Sequence, residues 1–301
     1  MKSDRTFIIK NNLTVIVIGA SGFIGSALFK SASVIGNAYG TSSSGIKGLL
    51  PLRLDAPADF DYRKIHTGNV VLLTAAISAP DICAREHDRS WAVNVSGTSA
   101  FISSAIDRGG RVIFFSSDAV YGEREDEFDE RSASSPVGEY ATMKCEVEQR
   151  FAGDPSFKAI RLSYVFSRED KFSRYLAGCD QRNEPADLFH PFFRAIVHRD
   201  DVVTGALALA ERWQEIPEQV INFGGPQVLS RVEFAEYVRE IHLHDLRFKV
   251  TEPGADFFRN RPRVIAMKSP VFARLLGRSP RSLSEAVRIE FASLSSSEKD
   301  L

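Results

Sequence analysis

The chain has 301 residues, 44% of them hydrophobic, and a formal net charge of -1 at pH 7. That length buries one large core or two unequal lobes, and the balanced charge excludes the basic surface that nucleic acid or anionic lipid would require. Cys83, Cys145 and Cys179 have no metal spacing, and their odd, sparse count fits free thiols in a reducing compartment.

The opening MKSDRTFIIKNNLT holds only a short apolar run between charges, so neither a signal peptide nor a membrane span is expected there. No later run is long and apolar enough to cross a bilayer, and the expected location is the cytoplasm. Val15–Ile18 reads as a buried strand and Phe23–Ala32 as a helix. Asn37–Thr41 and Val70–Thr74 are further strands. Trp91–Asp107 has helical spacing, Arg111–Ser117 is a strand and Tyr140–Phe151 a helix. FKAIRLSYVF contains another strand. Near-continuous apolar strands between helices call for a parallel sheet covered on both faces. The fold class is therefore α/β, a doubly wound parallel Rossmann sheet.

After Val165 the rhythm changes to aromatic, proline-containing loops. RDDVVTGALALAERW is a helix and QVINFGG a strand. SRVEFAEYVREI is a helix with Ser230 as cap and Glu233 at the capping-box position. A smaller, discontinuous α/β lobe is inferred. Residues 1–165 and 195–222 form the dinucleotide-binding domain, and 166–194 and 223–301 the substrate lobe. The terminal SLSSSEKDL reads as a frayed tail.

The stretch IVIGASGFIG sets Gly19, Gly22 and Gly25 directly after the first strand. A strand that turns at Gly19 and opens a helix near Gly22 aims free backbone N–H groups and the helix dipole at one spot. A pyrophosphate fits there, contacted also by Ser21, Phe23 and Ile24, and Gly25 lets the helix lie against the sheet. A plain glycine-bearing turn is the alternative, because the spacing is G-x-x-G-x-x-G. A site for NAD usually offers an acid after the second strand. Here Ser42, Ser43 and Ser44 follow instead, with Lys47 nearby. Hydroxyls can donate to a 2′-phosphate, so NADP(H) is preferred over NAD(H), although no arginine marks the position. Asp55 can reach the adenine amine.

Tyr140 and Lys144 lie four apart on one helix, so both point to one side. A nearby ammonium stabilises phenolate, which lets the pair move a proton at a carbonyl or alcohol oxygen. Ser116 and Ser117 end a central strand, where such sheets place their ligands, and a hydroxyl there can hydrogen-bond the same oxygen. Asn94, in AVNVSGT, either holds a water or backbone group that positions Lys144 or is a buried capping amide.

Together with LLTAAIS, FFSSDAVYGE, EYATMKCEVE, HRDDVV and RPRVIAMKS, these stretches resemble the extended short-chain dehydrogenase/reductases, in family order over nearly the whole chain. The nearest resemblance is to nucleotide-sugar 4-ketoreductases of the dTDP-4-dehydrorhamnose reductase type. It implies that Gly19, Gly22 and Gly25 cradle the pyrophosphate and that Ala75 and Ala76 line the cofactor. It also implies that Ser117 and Tyr140 bind the reacting oxygen while Lys144 anchors the nicotinamide ribose. Asp118 stands where the sugar dehydratases also carry Asp, but Ala119 replaces their Glu, which argues against water elimination. Cys83 lies near His87 but not where a Cys–His epimerase-reductase pair would fall. The resemblance implies a nucleotide-diphosphate sugar substrate, reduction of a 4-keto-6-deoxy sugar and a homodimer. A nucleotide-sugar epimerase that retains NAD and a non-catalytic cofactor-binding regulatory subunit are the alternatives.

Arg259, Arg261 and Arg263 can fork onto a substrate diphosphate or form a solvated turn. His190 with Phe189, Phe192 and Phe193 walls the sugar pocket or packs the core. His198, Arg199, Asp200 and Asp201 read as an N-cap with orienting charges. The histidines have no metal spacing, and no metal is expected.

Overall fold

A computed structural model describes residues 13–46, 48–124 and 126–292, with the side chain of Ala292 left aside. The N-terminal stretch, Lys47 and the serine-rich tail singled out above lie outside the described residues. In chain order the first half runs β1 (Thr14–Ile18), α1 (Phe23–Ile35), β2 (Asn37–Ser42), β3 (Leu50–Pro51), β4 (Val70–Leu73), α2 (Pro80–Arg85) and α3 (His87–Trp91). It continues through α4 (Thr98–Asp107), β5 (Arg111–Ser117), α5 (Glu139–Arg150) and β6 (Phe157–Leu162). Then follow β7 (Val165–Phe166), α6 (Lys171–Gln181), β8 (Ala186–Phe189), β9 (Phe193–Ala195), β10 (Val197–His198) and α7 (Arg199–Glu211). The last part holds β11 (Val220–Phe223), β12 (Val228–Ser230), α8 (Arg231–Ile241), β13 (Phe248–Thr251), α9 (Ala255–Arg259), β14 (Val264–Ile265), α10 (Pro270–Leu276) and α11 (Leu283–Ala292).

Among the described residues the main sheet is seven-stranded, in the order β11-β6-β5-β4-β1-β2-β3, and every pairing in it is parallel. The apolar strands explain it. Val15, Val17, Val70 and Leu72 face one cluster with α1 and α7. Ile16, Ile18, Val71 and Leu73 face another with α4 and α5. A strand buried on both faces is a continuous apolar run, and that is what a parallel sheet between helix layers requires. The strand order reverses between β1 and β4, the switch point at which such sheets open a crevice at their carboxyl ends.

The smaller strands build the rest. β12, β9 and β14 form one sheet, while β13-β8 and β10-β7 form two-stranded pairs. A separate core holds Phe166, Phe172, Leu188, Phe234 and Val287. Ser230 caps α8 and Glu233 closes the reciprocal bond, so the expected capping box is present. Two features differ from the sequence reading. α10 packs against α7 through Val271, Phe272 and Leu275, in the core of the large sheet and not in that of the smaller lobe. The expected helix at Trp91–Asp107 is interrupted by a π-helical turn at Ala92–Gly97. No helix among the described residues is long and apolar enough to cross a membrane.

His198 stands at the N-cap of α7 but makes no side-chain cap bond. Its Nε2 instead pairs with Glu290 at 2.8 Å, and the buried Asp201 clamps Arg278 and Arg281. These groups fasten the C-terminal segment onto α7. Cys83, Cys145 and Cys179 are buried free thiols.

Candidate active site

A cleft of about 850 Å³ opens at the carboxyl ends of β1 and β4. Its floor is the glycine turn. Gly19 has φ +87°, which favours glycine, and its N–H donates to Thr41 Oγ1 at 3.3 Å. A Cβ on Gly25 would stand 2.1 Å from the Gly19 carbonyl oxygen and 2.8 Å from Thr74 Oγ1. Only a glycine lets α1 rest on the turn so closely. Gly22 occupies the N-cap of α1 without any capping side chain, and no acid stands in the first turn. The donors and dipole of that helix end therefore face the cleft uncancelled. Opposite, the end of β4 is locked to β1, since the Thr74 N–H, Thr74 hydroxyl and Ala75 N–H all donate to the Ile18 carbonyl. Gly19, Ser21, Gly22, Phe23, Ile24, Gly25, Ala75 and Ala76 line the cleft together.

The adenosine end receives a residue that sequence reading missed. β3 pairs with β2 so that Pro51 lies beside Ser42. That register brings Arg53 into the same wall as Ser42, Ser43 and Asp55, with Arg89 from α3 nearby. Arg53 grips Asp55 through Nε and Nη2 at 3.1 and 2.6 Å, which holds the Asp55 carboxyl below its ordinary range. Ser42 Oγ accepts from the Ile46 N–H at 3.0 Å.

Tyr140 and Lys144 stand on the opposite wall, on one face of α5. Lys144 is buried, donates to the Phe115 carbonyl at 2.7 Å and lies over the Phe114 ring. Burial pushes its ammonium down to about 8 against the opposing pull of Glu148. Tyr140 is half-buried, and its phenol is driven well above its ordinary value, by burial first and then by the charges of Asp118 and Cys83. The phenol is thus held protonated at neutral pH.

Ser116 lines the cleft beside them, and its buried Oγ has no partner among the described residues. Ser117 is turned away. Its hydroxyl donates to Asp118 Oδ1 at 3.2 Å and accepts from the Ala119 N–H. Asp118 is buried and also takes the Ser163 hydroxyl at 2.8 Å. Asn94 does not line the cleft. Its amide bonds both the N–H and the carbonyl of Ile77, at 2.8 and 2.9 Å, so it pins the segment after β4 as a buried structural amide. Of the arginines, Arg259 is exposed on Asp256, and Arg261 makes a two-pronged pair with Asp81 at 2.7 and 2.6 Å. Phe192 lies under Arg194 and Arg231 and packs on Phe257, and Phe189 packs on Phe257 as well. Among the described residues no cluster could hold a metal.

The glycine turn, the uncapped helix end and the unpartnered Ser116 hydroxyl fit a pyrophosphate-containing dinucleotide. Residues 13–291 match the family model described as the RmlD substrate binding domain. The chain belongs to that family. The RmlD-family match is accompanied by weak likeness to individual proteins. A dTDP-4-dehydrorhamnose reductase of Sinorhizobium fredii is 24% identical over 194 residues, spanning 59% of this chain and 66% of that protein. The methionine adenosyltransferase 2 subunit beta of Xenopus laevis is 24% identical over 246 residues, 76% of this chain and 73% of that protein. Among solved structures, MoeE5 in complex with UDP-glucose and NAD superposes with a TM-score of 0.78 at 20% identity, covering 95% of this chain and 99% of that one. The dTDP-4-dehydrorhamnose reductase of Bacillus anthracis in complex with NADP gives 0.76 at 16% identity, covering 93% and 99%. The RmlD-family chain thus has the extended short-chain dehydrogenase/reductase fold that these solved structures share.

Proposed function

We propose that this protein reduces the keto group of a nucleotide-diphosphate 4-keto-6-deoxy sugar with NADPH. The observation that supports it best is the shared cleft: the Tyr140–Lys144 face of α5 looks across to the glycine turn that fits a dinucleotide. Bound there, the reduced nicotinamide supplies the hydride. Tyr140, protonated at neutral pH, gives its proton to the sugar oxygen. Ser117 holds that oxygen by turning its hydroxyl proton from Asp118 to the sugar, while Oγ stays where Asp118 and the Ala119 N–H set it. Lys144 anchors the ribose and steadies the phenolate left behind. Arg261 takes the substrate diphosphate in place of the Asp81 carboxylate, which already occupies both prongs of its guanidinium. The protein acts as a soluble cytoplasmic homodimer in this reading.

The test is to mix the purified protein with NADPH and a panel of nucleotide 4-keto sugars and follow the loss of NADPH absorbance. Turnover of one or more supports the reading. Tight NADPH binding without turnover of any of them sinks it. Interconversion of epimers by protein that carries NAD, without added reductant, points to the epimerase instead.

The cofactor preference rests on Arg53 and Arg89. Among the described residues Asp55 is the only carboxylate of the cleft wall and is already paired with Arg53, while serines stand at the ribose end. Arg53→Ala is expected to weaken NADPH about tenfold or more, from the loss of a charge-assisted bond, and to leave NADH unchanged. Calorimetric titration with each nucleotide checks it. Equal losses for both would assign Arg53 to the adenine side and not to the 2′-phosphate.

A second reading is favoured by the subunit-beta relatives, which match more of this chain than the reductase does. In it the protein binds the cofactor and serves as a regulatory subunit without turnover.

A further inference from the structure

Arg194 comes from β9, outside the large sheet, and is buried. Its Nη1 donates to the Phe193 carbonyl at 2.6 Å and to the Arg263 carbonyl at 3.2 Å, and its Nη2 to the Pro262 carbonyl at 2.8 Å. Its Nε faces Asp118 Oδ2 at 3.7 Å, with both side chains almost wholly buried. The guanidinium is therefore engaged mainly by backbone carbonyls and faces one carboxylate. That carboxylate in turn accepts from Ser117 and Ser163. The chain of contacts runs from the turn after Arg261, through Arg194 and Asp118, to Ser117.

We propose that Arg194 is a positioning residue that fixes the Asp118 carboxylate, and through it the Ser117 hydroxyl, in register with the 261–263 turn. It deepens the ketoreductase reading and rests on it for the role of Ser117. Ionised, Asp118 accepts from both serine hydroxyls at once. Protonated, it loses an acceptor and the Ser117 rotamer is released. Asp118 is faced by Ser117 from β5, Ser163 after β6, Arg194 from β9 and, through its charge, Tyr140 on α5. Arg194 itself senses Arg231, Arg261 and Glu123. Burial raises the Asp118 carboxyl above its ordinary value and Arg194 opposes that rise. Charge on Asp118 is therefore lost at a higher pH than for an ordinary carboxyl as pH falls, and Arg194 holds that loss back. Removing Arg194 moves the midpoint of that loss upward.

The experiment labels aspartate carboxyl carbons with carbon-13 and follows Asp118 by NMR against pH, with Asp118→Asn assigning the signal. Arg194→Gln is expected to raise the midpoint by about one unit or more, and Arg194→Lys to restore most of it. In turnover with NADPH, the acid limb of kcat should shift with the signal while the KM for NADPH stays fixed. A signal that titrates alike in all three proteins overturns the proposal, as does an acid limb that ignores the shift. Asp118 found neutral at pH 7 in the unaltered protein overturns it without any variant. If no sugar is turned over, the ketoreductase reading fails, and the carboxyl titration still decides whether Arg194 holds Asp118.

Discussion

Tyr140→Phe should lower keto-sugar reduction by about a hundred- to ten-thousandfold while leaving NADPH affinity unchanged. The substitution removes only the hydroxyl. The ring keeps its packing against the cluster of Cys83, Val95 and Met143, and Lys144 keeps its bond to the Phe115 carbonyl. What disappears is the acid. Burial and the neighbouring charge of Asp118 hold the phenol in its protonated form, and protonated is the form a reductase spends in each turnover. Steady-state rates on the sugar that turns over, with calorimetric titration of NADPH, separate the two effects. Undiminished turnover would remove Tyr140 from the chemistry. In the regulatory-subunit reading there is no turnover to lose, and the same variant leaves the partner's output unaltered.

The second large effect is expected at the turn. Gly25→Ala puts a methyl 2.1 Å from the Gly19 carbonyl oxygen and 2.8 Å from its carbon. Both are backbone atoms at the end of β1, and Gly19 is itself tied to Thr41 and its neighbour Ala20 to the Thr41 carbonyl. Neither can yield cheaply, so α1 must back away from the strand end. Overpacking of this kind costs about 1–3 kcal/mol. The helix end that fits the pyrophosphate moves with it, and NADPH affinity is expected to fall at least about tenfold, the equivalent of about 1.4 kcal/mol. Thermal melts and NADPH titration read the two consequences. A variant with normal affinity would show that the turn tolerates a longer reach, and that the close approach serves packing alone.

Much of the sheet was legible before any coordinates. β5 spans the expected Arg111–Ser117, and β1, β2, β4, α5 and α7 differ from their expected bounds by only a few residues at an end. Those elements rest on continuous apolar runs and helical spacing, signals that survive in the folded state because burial created them. The π-helical turn at Ala92–Gly97 carried no such signal, since its residues keep ordinary helical periodicity and the extra backbone residue per turn leaves no mark in side-chain type. The site divides in the same way. Tyr140 and Lys144 share a helix face because they are four residues apart, and the glycines follow their strand directly. Which of two adjacent serines presents a free hydroxyl to the cleft was not readable, because neighbouring strand residues face opposite sides and the strand end bends. Nor was the fate of Asn94, whose amide could serve water, cofactor or backbone with equal chemistry until Ile77 was seen against it.

The amino-acid order alone determined the doubly wound sheet, the glycine turn after its first strand, the phenol–ammonium pair on one helix face and the Ser230–Glu233 cap. All of these are relations across a few residues or along one repeating period. Tertiary structure alone decided the long-range partners: Arg53 in one wall with Ser42, and the ion pairs of Arg261 with Asp81 and Arg194 with Asp118. The physical reason is that a buried or half-buried charge must find its counterpart wherever the packed elements bring one within reach, and no spacing along the chain encodes which of the many arginines that will be.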